Sequence, residues 1–156
     1  MSITEKKNIF NSLLPNRKLW YICSAKKAFD KASELFPNST HNGKGDAFRH
    51  ALWNGYCYLT MEGNLGEQLT SAHENKPSPF PNYPFPEKEK EMDLYNNNQG
   101  RLIAMTSNLS NVSDHIIENL HAGFLRHLSN LGTFVSADGS VYPNLPTVNS
   151  VLIPTN

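Results

Sequence analysis

At 156 residues the chain is long enough for one domain with an ordinary buried core. Its 14 Lys/Arg balance 14 Asp/Glu, which argues against a strong non-specific nucleic-acid binder, because such proteins carry a clear basic excess. A content of 38% apolar and 18% charged residues is that of a soluble globular protein, and no run of roughly eighteen apolar residues is present to span a bilayer. Lys6, Lys7, Asn8, Asn11, Pro15, Asn16 and Arg17 break up the N-terminal stretch, so no conventional signal peptide is expected.

The charge is unevenly placed: residues 1–49 hold nine Lys/Arg against four Asp/Glu, and residues 50–156 hold five against ten. The basic front either faces an anionic surface or forms solvated helix faces. Cys23 and Cys57 are the two cysteines. Without a Cys-x-x-Cys they indicate neither a thiolate zinc site nor a disulfide framework. They read as two buried free thiols, with a single helix-to-helix disulfide as the alternative.

Residues 3–14 read as a short helix or ordered arm, ended by Pro15. From Lys18 to Phe36, apolar residues Leu19, Ile22, Ala25, Phe29, Ala32 and Phe36 recur at three and four, predicting a helix that buries this stripe. Pro37 to Gly45 is a loop of turn-forming residues. A helix from Asp46 to Met61 follows, stopped by Gly63-Asn64. Asn64 and Glu67 form a capping-box-like pair opening a helix from Leu65 to His73. Five prolines between residues 75 and 86 predict an extended surface loop, either a lid or an insertion without a role.

Glu87 to Ser107 returns to helix. Asn111 and Asp114 open the last one, whose stripe Ile117, His121, Phe124, Leu128 and Leu131 ends at Gly132. Residues 133–156 form an irregular or β tail, in which Thr133-Phe134-Val135 and Ser140-Val141-Tyr142 flank a turn at Ala137-Asp138-Gly139, and Thr147 to Ile153 is a further short strand. The fold class is therefore mainly α: one domain over 1–156, a bundle of about five helices with a short β hairpin or strand tail at its C-terminus.

Three polar clusters fall on these helices. Asp46, His50 and Asn54 are spaced by four and share one helix side, about 40° apart. Ala72-His73-Glu74 ends the next helix, and Asp93, Asn97 and Arg101 form a second stripe spaced by four. Asp46 also suits a helix N-terminus, where a carboxylate accepts backbone N–H bonds. His73 and Glu74 point about 100° apart, so one enters a site and the other supports it or caps the helix end. His121 reads as core; His41, His115 and His127 read as surface residues.

Three kinds of chemistry fit these residues. His50, His73, Asp46, Glu74 and Asp93 supply ligand atoms for one divalent metal: zinc, manganese or calcium. Without a metal, His50 or His73 serves as general base, oriented by Asp46, Glu74 or Asp93, while Arg49 or Arg101 meets developing negative charge. The third reading is a satisfied structural network locking the helices together. No Gly-x-Ser-x-Gly elbow surrounds Ser71 or any other serine, which disfavours a serine hydrolase.

Asp-Ala-Phe-Arg-His-Ala-x-Trp-Asn at 46–54, Ala-His-Glu at 72–74 and Met-Asp-x-x-Asn-Asn-x-x-Gly-Arg at 92–101 together resemble a bacterial domain family of unknown function. Its members often stand as small proteins or as C-terminal domains of secreted polymorphic toxins. The resemblance spans about residues 45–131, and Leu152-Ile153-Pro154-Thr155 resembles the family's usual ending. Tyr95, where a polar residue such as His is expected, and the proline-rich loop depart from the pattern. The resemblance implies a mainly helical domain whose three motifs share one site, and it makes an effector role plausible. A specialised system would then export or inject a protein made in the bacterial cytoplasm, with an immunity protein or a secretion-system component as partner.

The expected function is an effector-like hydrolase, metal-assisted or metal-free, acting on a phosphodiester or phospholipid ester. The catalytic set is His50, His73, Glu74, Asp93, Arg49 and Arg101; Asn54, Asn97 and Trp53 bind substrate; His50, His73, Asp46 and Asp93 hold the metal. The alternatives are a non-catalytic binding or scaffold module and a cell-wall hydrolase.

Overall fold

The structure, a computed structural model, describes residue 8 and residues 10–61, 64–75 and 82–156. The chain runs through α1 (Pro15–Leu35), α2 (Lys44–Thr60), α3 (Leu65–Glu74), α4 (Pro86–Ala104) and α5 (Val112–His121), then β1 (Arg126–Leu128), β2 (Gly132–Val135), β3 (Val141–Leu145) and β4 (Leu152–Pro154). The fold is mainly α, with short antiparallel strands after the helices. Residues 10–12 are also helical, while half of the arm expected over 3–14 and half of the proline-rich loop lie outside the described residues.

Helix α2 is the axis. It packs against α1, α3, α4 and α5 as well as β1, and it is buried nearly all round, from Gly45 through Leu52 to Cys57. A helix without a solvent face must be enclosed by its neighbours. Phe48 and Leu52 are fully buried, and Phe36 tilts against Phe48 with ring centroids 5.5 Å apart. Contact with α4 is closest at Gly100, where a Cβ would lie 2.0 Å from the Ala51 carbonyl oxygen. Only glycine lets these two backbones touch.

Helix α1 corrects the expected stripe. Its buried residues are Ser24, Ala28 and Ala32, whereas Leu19, Ile22 and Phe29 are more than half exposed. Two sets of α1 residues satisfy the three-four period, and the small set wins because it brings α1 close against α2. Leu19, Ile22 and Phe29 are left facing outward, while Ala25, Ala32 and Phe36 of the expected stripe do pack on the core.

The last helix also ends earlier than expected. Phe124 N–H donates to Asn119 O and Gly123 N–H to Leu120 O, with Gly123 at φ +77°, a Schellman cap that stops α5 at His121. His121 and Phe124 are consequently exposed, and Leu128 is buried in β1 instead of on a helix stripe. Strand β1 pairs antiparallel with β4, and β2 with β3, so the expected hairpin forms around Gly139 at φ +84°. The capping box at Asn64 does not form: Asn64 has no cap bond, and Glu67 instead faces Arg101 at 3.4 Å.

The C-terminal tail is tied to α4. Lys88 Nζ donates to the carbonyls of Thr147, Val148 and Ser150 at 2.8–2.9 Å, and Tyr83 Oη donates to Pro146 O at 3.0 Å. Asn96 bonds the backbone of Arg126 in both directions. Thr155, buried, donates to Leu120 O.

Candidate active site

The two polar stripes meet across the α2–α4 contact. His50 Nε2 lies 3.3 Å from Asp93 Oδ1, and His50 Nδ1 lies 3.3 Å from Asn97 Oδ1. One turn on, Asn54 Nδ2 donates to Asn97 Oδ1 at 2.6 Å, and Arg101 Nη1 donates to Asn54 Oδ1 at 2.8 Å. Spacing by four on both helices, held close by Gly100, produces this pairing. From the end of α3, Glu74 Oε1 accepts from Asn97 Nδ2 at 3.0 Å and stands 3.4 Å from His50 Nδ1.

Glu74 is therefore the member of its pair that enters the site. His73 lies behind it, 3.4 Å from the second Glu74 oxygen and edge-on to Trp53 at 5.1 Å. The group able to hold a cation is Asp46, His50 and Asp93, whose ligand atoms lie within 4.8 Å of one another; His73, expected as a ligand, is not in it. Asn54 is buried, and all four of its hydrogen-bonding capacities are used: it donates to His50 O and Asn97, and it accepts from Thr70 and Arg101. Asn54 and Asn97, expected to meet substrate, thus stand deep inside and hold His50. Arg101 braces the same network from its rim.

Arg49 covers the trio. Its Nε donates to Asp46 Oδ1 at 3.0 Å, Nη2 donates to the same oxygen, and Nη2 lies 2.8 Å from His50 Nε2. That last contact is a hydrogen bond only if Nε2 carries a lone pair, which places the imidazole proton on Nδ1, facing Asn97 and Glu74. Nε2, Asp46 Oδ1 and Asp93 Oδ1 are then three lone-pair-bearing atoms facing one another, and only a shared positive charge relieves them. Arg49 supplies it to Asp46 and His50. Asp93 Oδ1, buried, has no hydrogen-bond donor among the described residues.

The electrostatics follow. Burial opposes charge on His50, but Asp93, Glu74 and Asp46 outweigh it and raise its pKa to about 9, so that below this pH, with no cation bound, a second proton on Nε2 replaces the lone pair and supplies the positive charge. Burial raises the Asp93 carboxyl to about 8, reinforced by the charges of Asp46 and Glu74. Burial works the same way on Asp46 and Glu74, but Arg49 and His50 hold Asp46 below the ordinary carboxylate range, and hydrogen bonds from His50 and His73 do the same for Glu74. Carboxyl groups pushed apart in this way are a recurring feature of acid–base sites.

Asp46 also accepts from Asn42 N–H at 2.6 Å, the backward bond expected of an acid in a first helical turn. Asn42, in the left-handed region at φ 58°, was not singled out from the sequence. Its side chain donates to Glu89 Oε1 at 2.6 Å and Asn144 O at 2.8 Å, joining the loop before α2 to α4 and β3. A lone asparagine in a turn-rich loop is a signal for left-handed backbone, not for such a junction. Tyr95 turns away from the trio, donating to Phe124 O at 3.3 Å beneath Arg126. Cys23 is exposed and Cys57 buried, both as free thiols.

Beside the trio a cleft of about 510 Å³ opens between Ile22, Ala25 and Phe29 of α1 and Arg49, Trp53 and His73. Arg49 belongs to both places. No helix among the described residues is long and apolar enough to cross a membrane.

A family described as a domain of unknown function (DUF6973) matches residues 14–124. No curated protein and no solved structure matches the chain.

Proposed function

The chain belongs to this family of unknown function, and from that premise we propose that it is a hydrolase of phosphodiesters or phospholipid esters, assisted by one divalent cation held by Asp46, His50 and Asp93. The observation that carries the reading is the buried Asp93 oxygen, without a donor among the described residues, facing His50 Nε2 and the Asp46 oxygen. One carboxylate–imidazole–carboxylate set with an unmet need for positive charge suits a hard or borderline cation such as zinc, manganese or calcium. A cation there supplies Lewis acidity toward a phosphoryl oxygen.

The chain's own groups do the rest. Glu74 and Asn97 fix the proton on His50 Nδ1 and hold Nε2 toward Asp93. Arg49, released from Asp46, reaches the cleft it already lines and meets the anionic group of the substrate. An effector role in bacteria, with a neutralising partner, fits a small hydrolase whose site is closed over by its own arginine.

The test is elemental analysis of the purified protein, together with hydrolysis of bis(p-nitrophenyl) phosphate with and without chelator. A stoichiometric metal lost in His50→Ala, and activity lost in Asp93→Asn, are expected. A metal-free protein whose activity survives both substitutions overturns the reading. The rival, a non-catalytic module, draws on the saturated bonding of Asn54; it predicts that these variants change stability alone.

A further inference from the structure

The cleft beside Arg49 has a composition that the trio does not explain. One wall is apolar: Ile22 and Phe29 are each 54% exposed, on a helix that buries only small residues. Large apolar side chains concentrated at a concave surface mark a binding site. The opposite wall is polar at its floor. Arg49 lines it, with a quarter of its side chain exposed, and so does His73, about one-third exposed. Trp53, only 5% exposed, lines it too, and its indole N–H is buried with no acceptor among the described residues. A buried donor without a partner costs free energy unless a ligand oxygen satisfies it.

Apolar wall, guanidinium and waiting N–H together describe a ligand with an apolar chain and an oxygen-rich anionic head. Lys26 and Asp30, also on the α1 side, neutralise one another in an ion pair; Arg49 pairs with Asp46 behind it, but Asp46 is buried while Arg49 is a quarter exposed, so the guanidinium is the member of that pair that faces the cleft. We infer that the cleft binds the acyl or alkyl chain of a phosphate-bearing amphiphile against Ile22, Ala25 and Phe29, with its head-group oxygens on Arg49 and the Trp53 indole N–H. The inference rests on the hydrolase reading in one respect: the head group then lies beside Asp46, His50 and Asp93, and it selects the phospholipid ester over a water-soluble diester as substrate. A cleft of this volume holds one chain and its head group, and a protein partner would find no flat surface here.

Binding is read separately from turnover. In a Trp20→Phe background Trp53 is the sole indole, and its fluorescence is followed as dodecyl phosphate is added below its micelle concentration. A saturable change is expected. Ile22→Gln with Phe29→Gln, both at exposed positions that leave the core intact, weakens the affinity at least roughly tenfold through lost apolar contact, while Val148→Gln, exposed on the tail, leaves it unchanged. Inorganic phosphate at the same concentration produces no comparable response. Full affinity in the Ile22/Phe29 double variant, an equal response to inorganic phosphate, or no saturable change overturns the inference. Binding without any hydrolysis defeats the hydrolase reading alone, and hydrolysis of a soluble diester without amphiphile binding defeats the inference alone.

Discussion

His50 Nε2 and Asp93 Oδ1 stand 3.3 Å apart, and the Asp93 oxygen receives no hydrogen bond from any described residue. Without a cation, Asp93→Asn should therefore stabilise the protein at pH 9.5, above the Asp93 value of about 8 and the His50 value of about 9, because an amide replaces a buried carboxylate and can donate toward Nε2. The expected gain is about 1–2 kcal/mol in the urea midpoint of chelator-treated protein, with hydrolytic activity lost. The gain shrinks as pH falls below about 8, where the native carboxyl is already protonated. A destabilised variant at pH 9.5 would show that the Asp93 carboxylate is satisfied in solution.

The pH dependence of stability has a defined sign. His50 is raised in the folded state to about 9 from an ordinary 6.5, so its contribution is complete below 6.5 and lost as pH rises through 9. Asp93, raised to about 8 from an ordinary 3.8, also favours its protonated form in the fold, so its contribution is complete below 3.8 and lost as pH rises through 8. Asp46 and Glu74 are depressed, so their contribution is present above the ordinary carboxylate range and lost as pH falls below it. Urea midpoints of metal-free protein should decline from pH 6.5 to 9.5, and His50→Gln should flatten that decline. An unchanged slope in the variant would remove His50 as its source.

Arg49 and a divalent cation compete for the same Asp46 oxygen. Arg49→Ala leaves a buried carboxylate without its counter-charge and should cost about 3–5 kcal/mol in metal-free protein. Adding zinc or manganese should then raise the melting temperature of Arg49→Ala more than that of the unaltered chain, as linkage requires when a competitor is removed. Equal shifts in a thermal-melt comparison would mean that the ion binds elsewhere.

Gly100→Ala tests the helix contact that makes the site. The new methyl would lie 2.0 Å from the Ala51 carbonyl oxygen, so α2 and α4 must separate. A loss of about 2–4 kcal/mol is expected. Ala51→Gly should not rescue it, because the obstacle is backbone. Chemical denaturation of the single and double variants decides, and recovery in the double variant would refute the backbone clash.

Much of this site is legible in the sequence, because spacing by four on a helix is a strong geometric statement. Asp46, His50 and Asn54 were readable as one face and Asp93, Asn97 and Arg101 as another; the structure sets these faces against each other with Asp93 opposite His50. What spacing does not carry is depth. Asn54 and Asn97 lie behind His50 because α2 is enclosed nearly all round, a property of the whole packing. His73 and Glu74 could not be ranked, since the orientation of the last turn of α3 decides which enters. The overlong last helix was avoidable: Gly123 interrupts the stripe, and its positive φ is the conformation that glycine supplies at helix ends. The outward face of α1 was not, because large and small residues repeat with the same period.

The ammonium of Lys88 gathers three carbonyls from residues 147–150 onto the first turn of α4. The tail and α4 are therefore mechanically one unit. In hydrogen exchange, the amides of β1 and β4 should open together with the N-terminal half of α4 and not as an independently fraying end. Asp93 rides on that half, so whatever loosens residues 147–150 also loosens the grip on the carboxylate opposite His50.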